Sequence, residues 1–312
     1  MSNLEQDKDM SDLVDIWEKP QAKWMIAGWQ QWADAGEVSS GLPAYLIEQT
    51  GARKIADIES SEFYLFQIPG THYFLRPVVK LDDGHRERIE SRYNEFFYAG
   101  DDDNGLVIFT GEEPHLQEDL YAEAFFDVAE ELGIQRIVAL AGVYGGMPYD
   151  KDREISCVYS HPSMKEELAQ YAVRFSNYEG GATISMYLAD QAEQRGIEFF
   201  RFCSFVPSYD FSRASIPVQP IAIGEDYKAW YDIMVRLKHM FHLDLDLSDL
   251  HTRSEELIAE WDAKIEEVAE SMPQLQVREH MEKLRQEFTE MPFAPLSDVW
   301  TDGLRGLLDD FE

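Results

Sequence analysis

The sequence holds two cysteines in 312 residues, Cys157 and Cys203, far apart and with no CxxC or His/Cys cluster beside either. That excludes a disulfide framework and a zinc ribbon. Both fall in apolar, strand-like runs and read as small buried hydrophobes. Basic residues are scarce as well: 27 Lys plus Arg stand against 60 Asp plus Glu, a formal net charge of -33. Such a chain repels nucleic acid and anionic lipid, so any large partner must be neutral or basic where it touches. Solubility, salt tolerance and steering of a partner all remain readings of the excess. No apolar run approaches the roughly 20 residues that span a bilayer. Residues Met1 to Asp12 are polar and acidic, unlike a basic-then-apolar leader, and a cytoplasmic protein is the expectation.

Catalytic signatures are missing too. There is no GxxxxGK[ST], no GxGxxG between a strand and a helix, and no Gly-x-Ser-x-Gly elbow. Neither cysteine has a basic neighbour in sequence that would favour a thiolate. Asp101-Asp102-Asp103-Asn104-Gly105 resembles a calcium loop, but its glycine comes one position early, and setting that glycine sixth puts Gly111 where the closing bidentate acid belongs. No catalytic residue, metal ligand or cofactor is assigned, and the chain leans away from enzymology.

Hydrophobic residues make up 45% and aromatics 13%, ample to offset the entropy of folding. The pattern predicts strands at residues 23–29, 54–58, 105–111, 136–142, 156–160 and 198–206, the last buried on both faces. Helices are expected at 37–49, 116–132, 163–172, 182–194 and 226–241, with Gly51, Gly133 and Gly196 as stops. The opening strand, helix and strand favour a parallel pair. Residues 73–80 and 88–90 read as short antiparallel or irregular strands around Asp83-Gly84, and 216–220 is extended by its prolines. From Leu247 the composition turns to charged helix formers. Apolar residues recur at Leu250, Leu257, Trp261, Ile265, Val268 and Met272, then at Val277, Met281, Leu284, Phe288 and Met291, with Pro273 between the sets. Two antiparallel helices follow from this spacing. Whether they pack on the parent body or bridge subunits stays open, with Leu257, Trp261, Ile265, Leu284 and Phe288 as the residues that would meet a partner.

In a parallel α/β sheet a ligand sits beyond the carboxyl ends of the strands. Three strands end in glycine there, at Gly28, Gly111 and Gly142. The loops that follow supply Trp29, Trp32, Asp34 and Gly36, then Glu112, Glu113 and His115, then Tyr144 and Gly145. A small ligand would find Asp34, Glu112 and Tyr144 as polar groups and Trp29 and Trp32 as stacking platforms. Glu112, Glu113 and His115 become an acid/base or metal group only if the loop folds them onto one point. The plainer alternative is a solvated loop stiffened by Pro114.

A strand ending in Gly28, the Asp34-Ala35-Gly36 turn, Phe109-Thr110-Gly111-Glu112-Glu113-Pro114, Leu140-Ala141-Gly142, Gly180-Gly181-Ala182 and Phe205-Val206-Pro207-Ser208-Tyr209 follow in this order. Together they resemble the proteasome assembly chaperone 2 family of bacteria and archaea, from Lys23 to the helical hairpin. The resemblance implies an α/β fold like that of the purine nucleoside phosphorylases, a mixed and largely parallel central sheet flanked by helices, with a C-terminal helical insertion. It implies a homo-oligomer as well, with a trimer favoured, and a protein partner. Archaeal members dock on the proteasome through a terminal hydrophobic-Tyr-any tripeptide. This chain has Asp310-Phe311-Glu312 there, and burying Asp310 in an apolar pocket would cost several kcal/mol. The phosphorylases bind phosphate through an arginine after the first strand; residues 28–36 contain none.

The organisation expected is a flexible acidic segment at 1–20, an α/β core at 21–246, the hairpin at 247–291 and a tail at 292–312. The function expected is that of a protein-binding, assembly-chaperone-like or scaffold protein, with no nucleic acid and no membrane. A nucleoside or phosphate-ester-like ligand at the strand ends is the alternative.

Overall fold

Continuous apolar runs become central strands because only a position covered on both faces hides them, and here four such runs lie side by side. The computed structural model describes residues 13–30, 32–66, 76–90, 92–101, 104–212 and 219–293. Its strands are β1 (Val14–Ile16), β2 (Trp24–Gln30), β3 (Arg53–Ile58), β4 (Val78–Asp82), β5 (His85–Glu90), β6 (Asn94–Ala99), β7 (Leu106–Glu112), β8 (Arg136–Gly145), β9 (Ile155–Tyr159), β10 (Arg174–Phe175), β11 (Glu198–Tyr209) and β12 (Ile221–Ala222). The helices are α1 (Gly41–Thr50), α2 (Glu118–Glu131), α3 (Lys165–Leu168), α4 (Ile184–Arg195), α5 (Tyr227–Phe241), α6 (Ser248–Ser271) and α7 (Val277–Glu287).

The large sheet has the order β1-β3-β6-β7-β2-β8-β11-β9-β10, with β12 paired to β11. Its centre, β7-β2-β8-β11, is parallel, while β6, β3 and β1 on one side and β9 on the other are antiparallel. This is the mixed, largely parallel α/β architecture expected. One face packs on α1, α5 and α6, the other on α2 and α4.

Sheet order is where the structure departs most from the sequence reading. β3 does not pair with β2; β7 and β6 lie between them, and β3 pairs antiparallel with β6. The reason is burial: β7 and β8 present residues covered on both faces, whereas β3 begins with exposed Arg53 and half-buried Lys54. Residues 14–16, expected in a flexible segment, add the edge strand β1 to β3, and Leu13 beside them is fully buried. Residues 1–12 and 294–312, including Asp310-Phe311-Glu312, lie outside the described residues, as do Tyr73, Phe74, Leu75 and residues 216–218.

Helix α1 starts four residues later than predicted, after a short 3-10 turn at Ala35–Glu37. The carboxylate of Asp34 holds that turn by accepting the amides of Ser39 (2.8 Å) and Ser40 (2.9 Å) and the Ser40 hydroxyl (2.6 Å). The helix predicted at 163–172 is one α turn between two 3-10 turns. Gly51, Gly133 and Gly196 do end their helices with positive φ. Around Asp83-Gly84, β4 and β5 form a separate two-stranded sheet.

Candidate functional site

The parallel register gathers the ends of β2, β7 and β8 at one edge, where Trp29 pairs with Gly111, Gln30 with Glu112 and Gly28 with Leu140. The edge is not left open. Residues 33–40 fold back over it: the Gly142 amide donates to the Ala33 carbonyl (2.8 Å), the Ser39 hydroxyl to the Leu140 carbonyl (2.8 Å), and the Trp29 amide to the Ser39 hydroxyl (2.8 Å). Two of the glycines serve this packing. A Cβ at Gly28 would stand 1.8 Å from the Ser39 carbonyl oxygen, and one at Gly142 would stand 2.0 Å from that of Ala35. We therefore expect Gly28→Ala to lower the unfolding free energy by about 1–3 kcal/mol, as overpacking does. An unchanged urea midpoint would show that the turn moves away freely.

The other predicted site residues scatter. Trp29 is buried, donates its indole N–H to the Tyr121 hydroxyl (2.8 Å) and packs on Phe109 and Phe125, so it belongs to the core. Trp32 is 74% exposed. Gly36 is buried, and its carbonyl accepts the Trp230 indole N–H (2.9 Å) and the Asp226 amide (2.9 Å). Asp34 is committed to its turn, and burial pushes its carboxyl above the usual range. Glu112 forms an ion pair with Arg92, both largely buried. Tyr144 is half exposed, its hydroxyl 3.3 Å from the Ile223 carbonyl, and Gly145 ends β8 opposite Pro207.

Glu112, Glu113 and His115 do not converge. Glu113 turns to the start of α4 and accepts the Ile184 amide at 2.7 Å; burial raises its pKa against that hydrogen bond and one from the Trp32 amide. His115 accepts the Leu65 amide on Nδ1 (3.2 Å), and burial with the nearby Arg92 charge lowers its pKa. Among the described residues no group of three or more His, Cys, Asp or Glu is placed to hold a metal ion.

A cleft of about 500 Å³ does open at this end of the sheet, where β3 finishes and β6 begins, lined by Asp57, Glu59, Tyr64, Arg92, Asn94 and Glu95. None of the ten predicted pocket residues lines it; Glu112 adjoins it through Arg92, Tyr64 and Tyr93. No motif in residues 57–66 or 92–95 marks this cleft in the sequence; its lining comes together only through the pairing of β3 with β6.

The residues read as partner contacts in the C-terminal helices face inward. Leu257, Trp261 and Ile265 are buried in the same core as α5 and the sheet, and Leu284 is half-buried against it. Phe288 is half-buried at the end of α7. The apolar surface of Leu257, Trp261 and Ile265 is covered within the chain, while Leu284 and Phe288 keep part of theirs exposed.

No helix among the described residues is long and apolar enough to cross a membrane. No curated protein matches the chain in sequence. Solved structures of similar fold include a proteasome-assembly chaperone homologue from Mycobacterium tuberculosis, 19% identical with TM-score 0.65, covering 77% of this chain and 94% of that one. A PAC2 family protein from Streptomyces avermitilis is 21% identical with TM-score 0.64, over 83% of this chain and 99% of that one. An archaeal proteasome activator from Pyrococcus furiosus is 19% identical with TM-score 0.58, over 81% and 98% respectively. At these identities the likeness concerns the fold alone. Residues 28–268 match the sequence pattern of the PAC2 family, from within the first central strand to the last turn of α6, and the chain belongs to that family.

Proposed function

We propose that this chain is a protein-binding, assembly-chaperone-like protein of the cytoplasm that self-associates, with the trimer as the form its family resemblance favours. The observation that carries the reading is the β4–β5 hairpin. Val78, Val79, Leu81 and Ile89 on it are 59%, 51%, 59% and 48% exposed, and every residue from 78 to 89 is exposed. Val79 stands opposite Ile89, so two large apolar side chains share one uncovered face. A lone two-stranded hairpin is marginal in water, and exposed apolar patches of this kind mark contact surfaces.

Charge supports the same reading. Between residues 76 and 92 the bases are Arg76, Lys80, Arg86, Arg88 and Arg92 and the acids are Asp82, Asp83, Glu87 and Glu90, a balance of five to four in a chain whose net is -33. This is a stretch where another acidic copy meets no repulsion. The neighbouring proteasome-assembly chaperone homologue and proteasome activator support a role in bringing other proteins together.

Sedimentation of the full chain tests the proposal. Wild type is expected to sediment as an oligomer, and Val79→Lys/Ile89→Lys as a folded monomer with unchanged far-ultraviolet dichroism, its melting temperature lower only by the stabilisation that association gave. Equal mass for the two proteins would refute the hairpin as the contact surface, and a monomeric wild type would refute self-association.

A further inference from the structure

A second cavity, of about 200 Å³, opens at the opposite end of the sheet, at the first residues of the central strands. Pairing of Trp24 with both Leu106 and Arg136 brings Lys23, Gly105 and Gln135 level there, one residue before β2, β7 and β8. The end of α5 forms an apolar side. Trp24 and Phe241 stack with ring centroids 4.9 Å apart and planes 7° from parallel, and Leu243 follows once His242 turns the chain out of the helix with a positive φ. An apolar cavity of about 150 Å³ holds one benzene ring, so this one has room for a ring and a small polar group together.

The polar lining says what that group is. The chain holds 60 Asp plus Glu against 27 Lys plus Arg, yet no acid among the described residues lines this cavity. Its polar residues are Gln21, Lys23, Asn104, Gln135 and His242. The acids close by in sequence are engaged elsewhere or stand outside: Glu131 pairs with Lys19, Asp101 accepts the Asn104 amide, and exposed Asp244 does not line the cavity. The guanidinium of Arg136, 5.9 Å from the Trp24 ring centre, is taken up by Glu167 and Glu198. Lys23 is different. It forms no ion pair and no side-chain hydrogen bond with a described residue, in a chain with more than two acids for every base. A lysine left unpaired among carboxamides attracts an anion at close range, with no lining carboxylate to repel it.

We propose that this cavity binds a small aromatic carboxylate, its ring on the side formed by Trp24, Phe241 and Leu243 and its charge on Lys23. One ammonium balances one carboxylate and makes a charge-assisted hydrogen bond to it, while the carboxamides of Gln21 and Gln135 supply neutral donors. A dianion leaves one charge unmatched, so the site selects against it. It lies apart from the β4–β5 hairpin and from the carboxyl ends of the strands, and neither proposal needs the other.

The test is a thermal-melt titration of the full chain with benzoate, balanced with chloride to constant ionic strength. Benzamide keeps the ring without the charge, acetate keeps the charge without the ring, and inorganic phosphate is the dianion arm. Wild type is expected to show a saturable rise in melting temperature with benzoate and a weaker response to the other three. Lys23→Met is expected to weaken benzoate at least about tenfold, the loss of one charge-assisted hydrogen bond. Gln135→Glu, nearly the same shape, sets a negative charge in the lining and should weaken it as well; both positions are exposed, which spares the core. Lys264→Met removes the same charge from the exposed face of α6 and should leave the affinity unchanged. Absence of a saturable rise with benzoate in wild type, or unchanged affinity in Lys23→Met, would overturn the site. Benzamide, acetate or phosphate binding as tightly as benzoate would overturn the aromatic carboxylate as its ligand. If Lys23→Met fails to fold, unchanged affinity in Gln135→Glu has the same force.

Discussion

Arg153→Ala is expected to lower the unfolding free energy by about 3–5 kcal/mol, the range for breaking a fully buried ion pair. Arg153 and Asp226 are both fully buried, joined by Nε to Oδ2 at 2.8 Å and Nη2 to Oδ1 at 3.1 Å. The remaining guanidinium nitrogen donates to the carbonyls of Tyr149 (2.8 Å) and Lys151 (2.9 Å). Asp226 is also the N-cap of α5, accepting the Ala229 amide at 3.0 Å, and its own amide donates to the Gly36 carbonyl. The Arg153 side chain thus ties the loop after β8 to the start of α5, and the Asp226 backbone adds the turn after β2. Alanine leaves the Asp226 carboxylate buried with only the cap amide to meet it, which is why the loss exceeds that of a surface pair. The double variant Arg153→Met/Asp226→Ser removes both charges and keeps a capping oxygen, so it should lose less than the two single changes added together. Urea midpoints for the four proteins decide it. A change below about 1 kcal/mol for Arg153→Ala would mean that the pair behaves as a solvated one.

That network also shows why the sequence was informative about elements and silent about their arrangement. Helix stops at Gly51, Gly133 and Gly196 were legible because a left-handed residue after a periodic segment is a local signal. The strand β11 was legible because an apolar run of that length suits only a covered position. Arg153 and Asp226 lie 73 residues apart, and nothing local in either segment announces the other. Strand order has the same character: β3 follows α1 in the chain, yet its place next to β6 is decided by how β6, β7 and β8 fill the centre. The glycines show a different gap. Gly28 and Gly142 were read as strand ends opening toward a ligand, but each lies inside its strand and admits a backbone turn. A residue without a side chain permits close approach of either kind, and the sequence does not say which one arrives.

The second large effect is expected at Trp261, where alanine should lower the unfolding free energy by about 3–5 kcal/mol. The indole is 5% exposed and sits between Tyr149 and Tyr209, with ring centroids 6.2 and 6.0 Å away. Beside it the Tyr149 hydroxyl donates to Asp262 at 2.6 Å, across 113 residues of sequence. Leu257 and Ile265 continue the same buried stripe, while Val277 and Met281 of α7 close over its end. The two helices therefore share a core with the sheet, and they should melt with it. Near-ultraviolet and far-ultraviolet dichroism of Trp261→Ala are expected to give one coincident urea transition, shifted to lower denaturant. Two separated transitions would mean that α6 and α7 dock as an independent unit, and the stripe would again be a candidate for subunit contact. With the apolar stripe covered, what α6 presents outward is mostly acid, Glu255, Glu256, Glu260, Glu267 and Glu270 with Lys264 among them, while Glu266 is paired with Arg278 of α7. A partner meeting α6 must then bring basic groups, while one meeting the β4–β5 hairpin must bring apolar surface. The two faces select different chemistries, so a partner lost on Val79→Lys/Ile89→Lys but insensitive to salt binds the hairpin, and one lost at high salt alone binds α6.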